Sequence, residues 1–153
     1  HMTKLLTTIS LFLLFGCASQ KSSSSSGGHT RTMEVESLDE DTYLLTEASN
    51  DKSYGYNKLN PIKVGGSSES SGPKNERRFL NALLGPNGEE IMYFRAGSCC
   101  PFSTPNGPFN NSGLLDRYRV VWNGATDTLD IFINMYDKGD LKIPVGLSAK
   151  KKD

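Results

Sequence analysis

The side chains in this sequence best suited to covalent chemistry are the adjacent thiols Cys99 and Cys100, set in Gly97-Ser98-Cys99-Cys100-Pro101-Phe102-Ser103-Thr104-Pro105-Asn106-Gly107. Neighbouring trans residues have Cα atoms about 3.8 Å apart, below the roughly 4.4–6.8 Å usual for disulfides, so a vicinal bridge would be more easily reduced than most. The pair reads as a redox-labile or ligand-gripping loop, or else as a rigid staple or two partly buried thiols. Two adjacent thiolates lack the further Cys or His ligands that zinc takes, so no metal site is expected. The only histidines, His1 and His29, fall outside the region that reads as folded. That removes His-based triads, His general bases and the commonest zinc ligand together. An enzyme here would have to use carboxylates, Lys, Tyr or thiols, so the reading leans against catalysis, and no cofactor is expected.

A second constellation is cationic and aromatic. Arg77, Arg78, Arg95, Arg117 and Arg119 are spaced so that a helix and the central strands could bring them together, and guanidinium forks suit carboxylate or phosphate groups. The alternative is surface pairing with Glu76, Glu89, Glu90 and Asp116. Tyr54, Tyr56, Phe102 and Phe109 fall in loop-like segments and are candidate contact residues, whereas Tyr118 and Trp122 alternate with Val120 and read as core.

These residues need a scaffold, and the pattern predicts an α+β domain with one helix packed on an antiparallel β-meander. Short strands are expected over Met33–Leu38, Thr42–Thr46 and, at a sheet edge, Asn60–Gly66, where Pro61 loses its donor at little cost. The helix is expected over Pro73–Leu84, opened by Pro73 and stopped by Gly85-Pro86, with Phe79, Leu80, Leu83 and Leu84 as its apolar stripe and Glu76 mainly off it. Glu90–Arg95 reads as a strand and Gly97–Gly113 as a loop carrying the two cysteines. Leu115–Trp122 and Thr128–Tyr136 follow as a hairpin turned at Asn123-Gly124, the second strand placing Leu129, Ile131, Ile133 and Met135 on one face. Leu141–Val145 reads as a further edge strand.

The N-terminal region carries a different signal. His1 before Met2 reads as a tag scar. Lys4 and the apolar run Leu5–Phe15 are followed by Gly16-Cys17. A run of about 11 residues rises only about 16 Å as a helix, against about 30 Å of hydrocarbon, which suits a cleaved signal rather than a span. Leu14-Phe15-Gly16-Cys17 resembles the lipobox of bacterial lipoproteins. The resemblance implies cleavage before Cys17 and its lipidation, with acyl chains adding roughly 0.8 kcal/mol per buried methylene. Cys99 and Cys100 would then have only each other as partners within one chain. The expected organisation is 1–16 tag scar and signal, 17–32 lipidated cysteine and Ser/Gly-rich flexible tether, 33–148 folded domain and 149–153 basic tail.

From about Tyr54 to Leu147 the chain also resembles small lipoproteins of the Bacteroidota (Flavobacterium-like bacteria). The segments that carry this are Tyr54-Gly55-Tyr56, Asn60–Gly66, Asn75–Leu83, Gly97–Phe102, Leu115–Val120 and Asn134–Asp137. Chains of this kind sometimes bear a 2-dehydro-3-deoxyphosphooctonate aldolase label. That activity belongs to a TIM barrel of about 250 residues with alternating βα units, a pattern not found here, so the resemblance implies compartment and lineage rather than a reaction. Ala18-Ser19-Gln20-Lys21-Ser22 has neither the acidic residues that resemble a surface-export signal nor an Asp after Cys17. The expected address is the outer membrane, facing the periplasm.

With 17 basic and 17 acidic residues in 153, the chain has no excess positive charge for a nucleic-acid partner. The function expected first is a membrane-anchored binding or assembly-accessory module that meets an envelope protein. The alternatives are a thiol-dependent redox protein or small envelope enzyme using Cys99 and Cys100, and a binder of glycans or small anions through Arg77, Arg95 or Arg117 beside the loop tyrosines.

Overall fold

The computed structural model describes residues 27–153; the expected signal segment, Cys17 and the serine run lie outside the described residues. In chain order the elements are β1 (Ser37–Asp39), β2 (Thr42–Tyr43), β3 (Ile62–Lys63), α1 (Gly72–Ala82), β4 (Leu83–Leu84), β5 (Ile91–Ser103), β6 (Ser112–Trp122), β7 (Leu129–Asn134) and β8 (Ser148–Ala149). One helix thus lies with a mainly antiparallel set of strands, an α+β domain.

The principal sheet has the order β3-β7-β6-β5. β5, β6 and β7 form the expected meander, while β3 joins its edge parallel to β7, Ile62 opposite Ile133. Parallel pairing there makes the sheet mixed rather than wholly antiparallel. β1 and β2, and β4 and β8, form two small antiparallel pairs.

Period-2 alternation places Tyr118 and Val120 of β6 and Ile131 and Ile133 of β7 on the inner face. There they join Ile62, Val64 and the α1–β4 residues Phe79, Leu80 and Leu83 in the core, all buried. The helix stops two residues before the expected end. Leu83 turns to extended backbone, and Leu83 and Leu84 pair with Ala149 and Ser148, so the last apolar residues of the stripe gain sheet partners instead of a final helical turn.

The largest departure is β5. A loop was expected from Gly97 to Gly113, yet the strand runs on through Ser103, and Cys99 and Cys100 stand within it. Its register against β6 slips between Arg95 and Gly97 and again between Cys99 and Pro101, two bulges that absorb residues a flat strand would reject. Gly97 has φ +134 and Cys100 φ +58. Pro101 is tolerated because β5 is the sheet edge, where a missing N–H need not cost a ladder bond. The true loop is 104–111, at the tip of the β5–β6 hairpin.

Smaller differences have local causes. Leu141–Val145 forms no strand, only a bridge between Ala48 and Ile143. Its backbone is taken by other partners: Lys142 N donates to Tyr54 Oη at 3.1 Å, and Tyr56 Oη donates to the Val145 carbonyl at 2.8 Å. Of Met33–Leu38 only its end pairs, as β1. Gly27–Thr32, assigned to the tether on composition, is hydrogen-bonded to the domain: Gly27 N to Ser103 O, Thr30 N and Arg31 N to Lys138 O, and Thr32 to Asp140. Ala149, assigned to the tail, is in β8 and buried.

Candidate functional site

The bulged stretch of β5 lies opposite β6 and close to α1, and this junction gathers the most perturbed groups of the domain. Glu76, one helical turn before Phe79 and Leu80, is fully buried with them. Tyr118 Oη donates to Glu76 Oε2 at 2.8 Å, while Glu76 Oε1 has no hydrogen-bond partner. Burial pushes the Glu76 carboxyl up to about 8, and the neighbouring Asp116 carboxyl adds to the rise against the pull of the Tyr118 hydrogen bond. Glu76 is therefore mostly protonated at neutral pH.

Asp116, itself buried, accepts from Arg95 Nη2 and from Ser98 Oγ, both at 2.8 Å. Arg95 also donates to Ser98 Oγ. The arrangement ties the first bulge of β5 to β6 beneath it. Immediately beyond, Cys99 and Cys100 are joined in a vicinal disulfide with Cα atoms 3.7 Å apart, half-buried on the edge strand. The bridge spans the second bulge. Opening it would expose two thiols on the edge strand of the principal sheet.

Chemically, the junction holds a buried acid, Glu76, and a Ser98 hydroxyl hydrogen-bonded to the Asp116 carboxylate. The Ser98 proton goes to Asp116, whose charge is already matched by Arg95. Glu76 is sealed under the helix, out of reach of a substrate. His29, the one histidine among the described residues, accepts from Lys138 N through Nδ1.

The arginines singled out on type and spacing do not converge. Arg95 shares the inner face with Tyr118, whereas Arg117 lies opposite Phe132 on the outer face and pairs with Asp130 at 3.8 Å. Arg77 is exposed on α1. Tyr54 and Tyr56 are structural clamps rather than free contact residues. Their hydroxyls bond the backbone of the 140–145 segment, and burial pushes each up to about 12. Phe102 is half-buried, its ring 6.1 Å from that of Tyr136. Phe109, 79 % exposed at the hairpin tip, is the one loop aromatic presented to solvent among the described residues.

Two residues that spacing did not single out complete the surface. Met92 and Phe94, 63 % and 60 % exposed, stand on the outer face of edge strand β5, opposite Val121 and Arg119. The signal was present in the i, i+2 spacing of Glu90–Arg95. It was masked because Ile91 and Tyr93, on the opposite face, are apolar too. Arg119 pairs with Asp130 at 3.6 Å beside them, giving the apolar pair a charged flank.

A fourth cluster is structural. Asp137, fully buried, accepts from Thr104 Oγ1, Asn106 Nδ2 and Asn134 Nδ2 at 2.6, 2.7 and 2.8 Å. Burial acts to raise its carboxyl, but these bonds together outweigh it and hold the group below its usual range. Asp137 thereby pins the hairpin tip to the end of β7.

Among the described residues no helix is long and apolar enough to cross a membrane. No protein family, curated protein or solved structure matches the chain.

Proposed function

We propose that the chain is a membrane-anchored lipoprotein of the cell envelope whose domain is a non-enzymatic binding or assembly-accessory module. The observation that carries this reading is the edge strand β5, met by Leu84 at Glu90 and by Gly27 at Ser103 but with no strand partner between them among the described residues, where Met92 and Phe94 are held outward side by side. Exposed large apolar residues on a strand with unpaired backbone groups suit an extended segment of a partner protein, which adds main-chain bonds at the edge and side-chain contacts on the face. The bulges and the disulfide confine such pairing to the first half of the strand, because the slipped register beyond Arg95 breaks the regular ladder. Phe109 and Leu114 extend the apolar exposure at the hairpin tip.

Anchoring through Cys17 would hold this edge near the membrane, and Cys17→Ser should move the protein from the membrane to the soluble fraction. The interface is tested by the double substitution Met92→Lys with Phe94→Lys, which touches no core residue. The variant should stay folded and anchored but lose the stoichiometric partner recovered with the wild-type protein from native membranes. Recovery of wild type as monomer alone, or equal partner recovery with the variant, contradicts the reading.

A second reading rests on the Cys99–Cys100 disulfide, which is only half-buried and open to exchange with a dithiol partner. Mass spectrometry with and without mild reductant separates the two. A bridge that cycles rapidly supports redox work, and one that stays closed supports a staple.

A further inference from the structure

At the opposite edge of the sheet from β5, the start of α1, the 64–66 segment after β3, β2 and the N-terminal segment line an open, shallow cleft of about 470 Å³. Its walls carry four cations, Arg31, Lys74, Arg78 and Lys138, against one carboxylate, Glu69. The chain as a whole has no net charge, so this concentration is local. The cations come from three separate parts of the chain, and only the fold brings them together.

The two arginines have no ion-pair partner among the described residues, and both are held in place. Arg31 donates through Nε to the Gly139 carbonyl at 2.8 Å and through Nη2 to the Lys63 and Val64 carbonyls at 3.3 Å. Those acceptors are neutral, so they fix the guanidinium without cancelling its charge. Burial lowers the pKa of Arg31, with the Tyr43 hydroxyl, the Asp140 carboxylate and the Tyr54 hydroxyl acting the other way; Asp140 is itself occupied by Thr32 and Met33. The Arg78 guanidinium stacks 4.7 Å over the Tyr43 ring and reaches Ser37 Oγ at 3.2 Å. Lys74 and Lys138 pair with Glu40 and Glu69 at 3.0 and 2.7 Å, in pairs exposed enough to exchange partners readily. Asn75 adds a side-chain amide to the wall, already bonded to the Gly65 carbonyl at 3.1 Å.

We infer that this cleft binds a phosphate monoester group or a similar dianion, held between Arg31 and Arg78 with Lys74 and Lys138 at the rim. The carbonyls take the Nε and Nη2 of Arg31 and leave its Nη1 to donate, the Arg78 guanidinium adds a second charge-assisted donor, and two such groups select a doubly charged ligand over chloride. The cleft and the β5 strip lie at opposite edges of the sheet, so either can fail without the other.

The test follows amide shifts of the purified full chain on adding inorganic phosphate, with sodium chloride at matched ionic strength as control. A parallel arm measures co-sedimentation of the Cys17→Ser full chain, which takes no acyl anchor, with phosphatidylcholine vesicles, with and without phosphatidic acid, whose headgroup is a phosphate monoester. Saturable shifts around Arg31, Lys74 and Arg78 with inorganic phosphate identify a site for the free anion. Binding only to phosphatidic acid vesicles identifies a lipid headgroup. In either case Arg78→Gln, at a half-exposed position, should weaken binding about tenfold, the loss of one charge-assisted contact. Arg31→Gln should do the same, with unchanged circular dichroism confirming the fold of both. Shifts equal to those of chloride with no vesicle binding, or binding unaltered in both variants, overturn the inference.

Discussion

Glu76 is the residue whose environment differs most from what its type suggests. Its folded-state carboxyl lies at about 8 because burial and Asp116 disfavour the charge, whereas in the unfolded chain it returns to about 4.5. The folded state therefore holds a proton that the unfolded state releases between those values. The stabilising contribution is fully present below about pH 4.5 and is lost as pH rises through about 8. Glu76→Gln keeps the shape and removes the titration. In urea unfolding it should cost up to about 1 kcal/mol near pH 5, through altered hydrogen bonding with Tyr118, and be the more stable form by about 1–3 kcal/mol near pH 9. Parallel pH profiles for the two proteins would contradict this assignment. The sequence reading placed Glu76 mainly off the apolar stripe. Its spacing to Phe79 and Leu80 allowed burial, but residue type argued for solvent, and the partners that make burial tolerable come from β5 and β6, far away in the chain. Asp116 was hidden for the same reason.

At the scale of elements, the helix, the hairpin at Asn123-Gly124 and the inner faces of β6 and β7 were legible, because each follows from a local period and a local turn signal. β5 was not. Gly97, Pro101 and the paired cysteines spell a loop by composition, and only the bulges and the edge position let them remain in a strand. Cys100, at φ +58, occupies backbone that a non-glycine residue adopts at a cost of about 1–3 kcal/mol, so the bridge has a conformation to hold. Replacing both cysteines with alanine should increase hydrogen exchange across Gly97–Ser103 while α1 stays protected, with a loss of stability below about 2 kcal/mol. Exchange that rises equally in α1 would mean that the bridge supports the whole core. Unchanged exchange would mean that the bulge stands without it.

For the whole molecule, the α+β class was readable from the sequence, but which surface is presented was not. The loop tyrosines that composition offered for contact are tied to backbone, and the arginines it offered fall on different faces. Of the apolar side chains left outward, Met92 and Phe94 belong to a strand whose two faces look alike in sequence. The edge that exposes them depends on strand order, which no local pattern encodes. The central claim is that this edge meets a protein partner, and the most direct measurement is site-specific photo-crosslinking in intact cells. A photoreactive residue at position 94 should give one discrete adduct, with none from the same probe at exposed Lys52. No adduct at position 94, or the same products from both positions, would contradict the account.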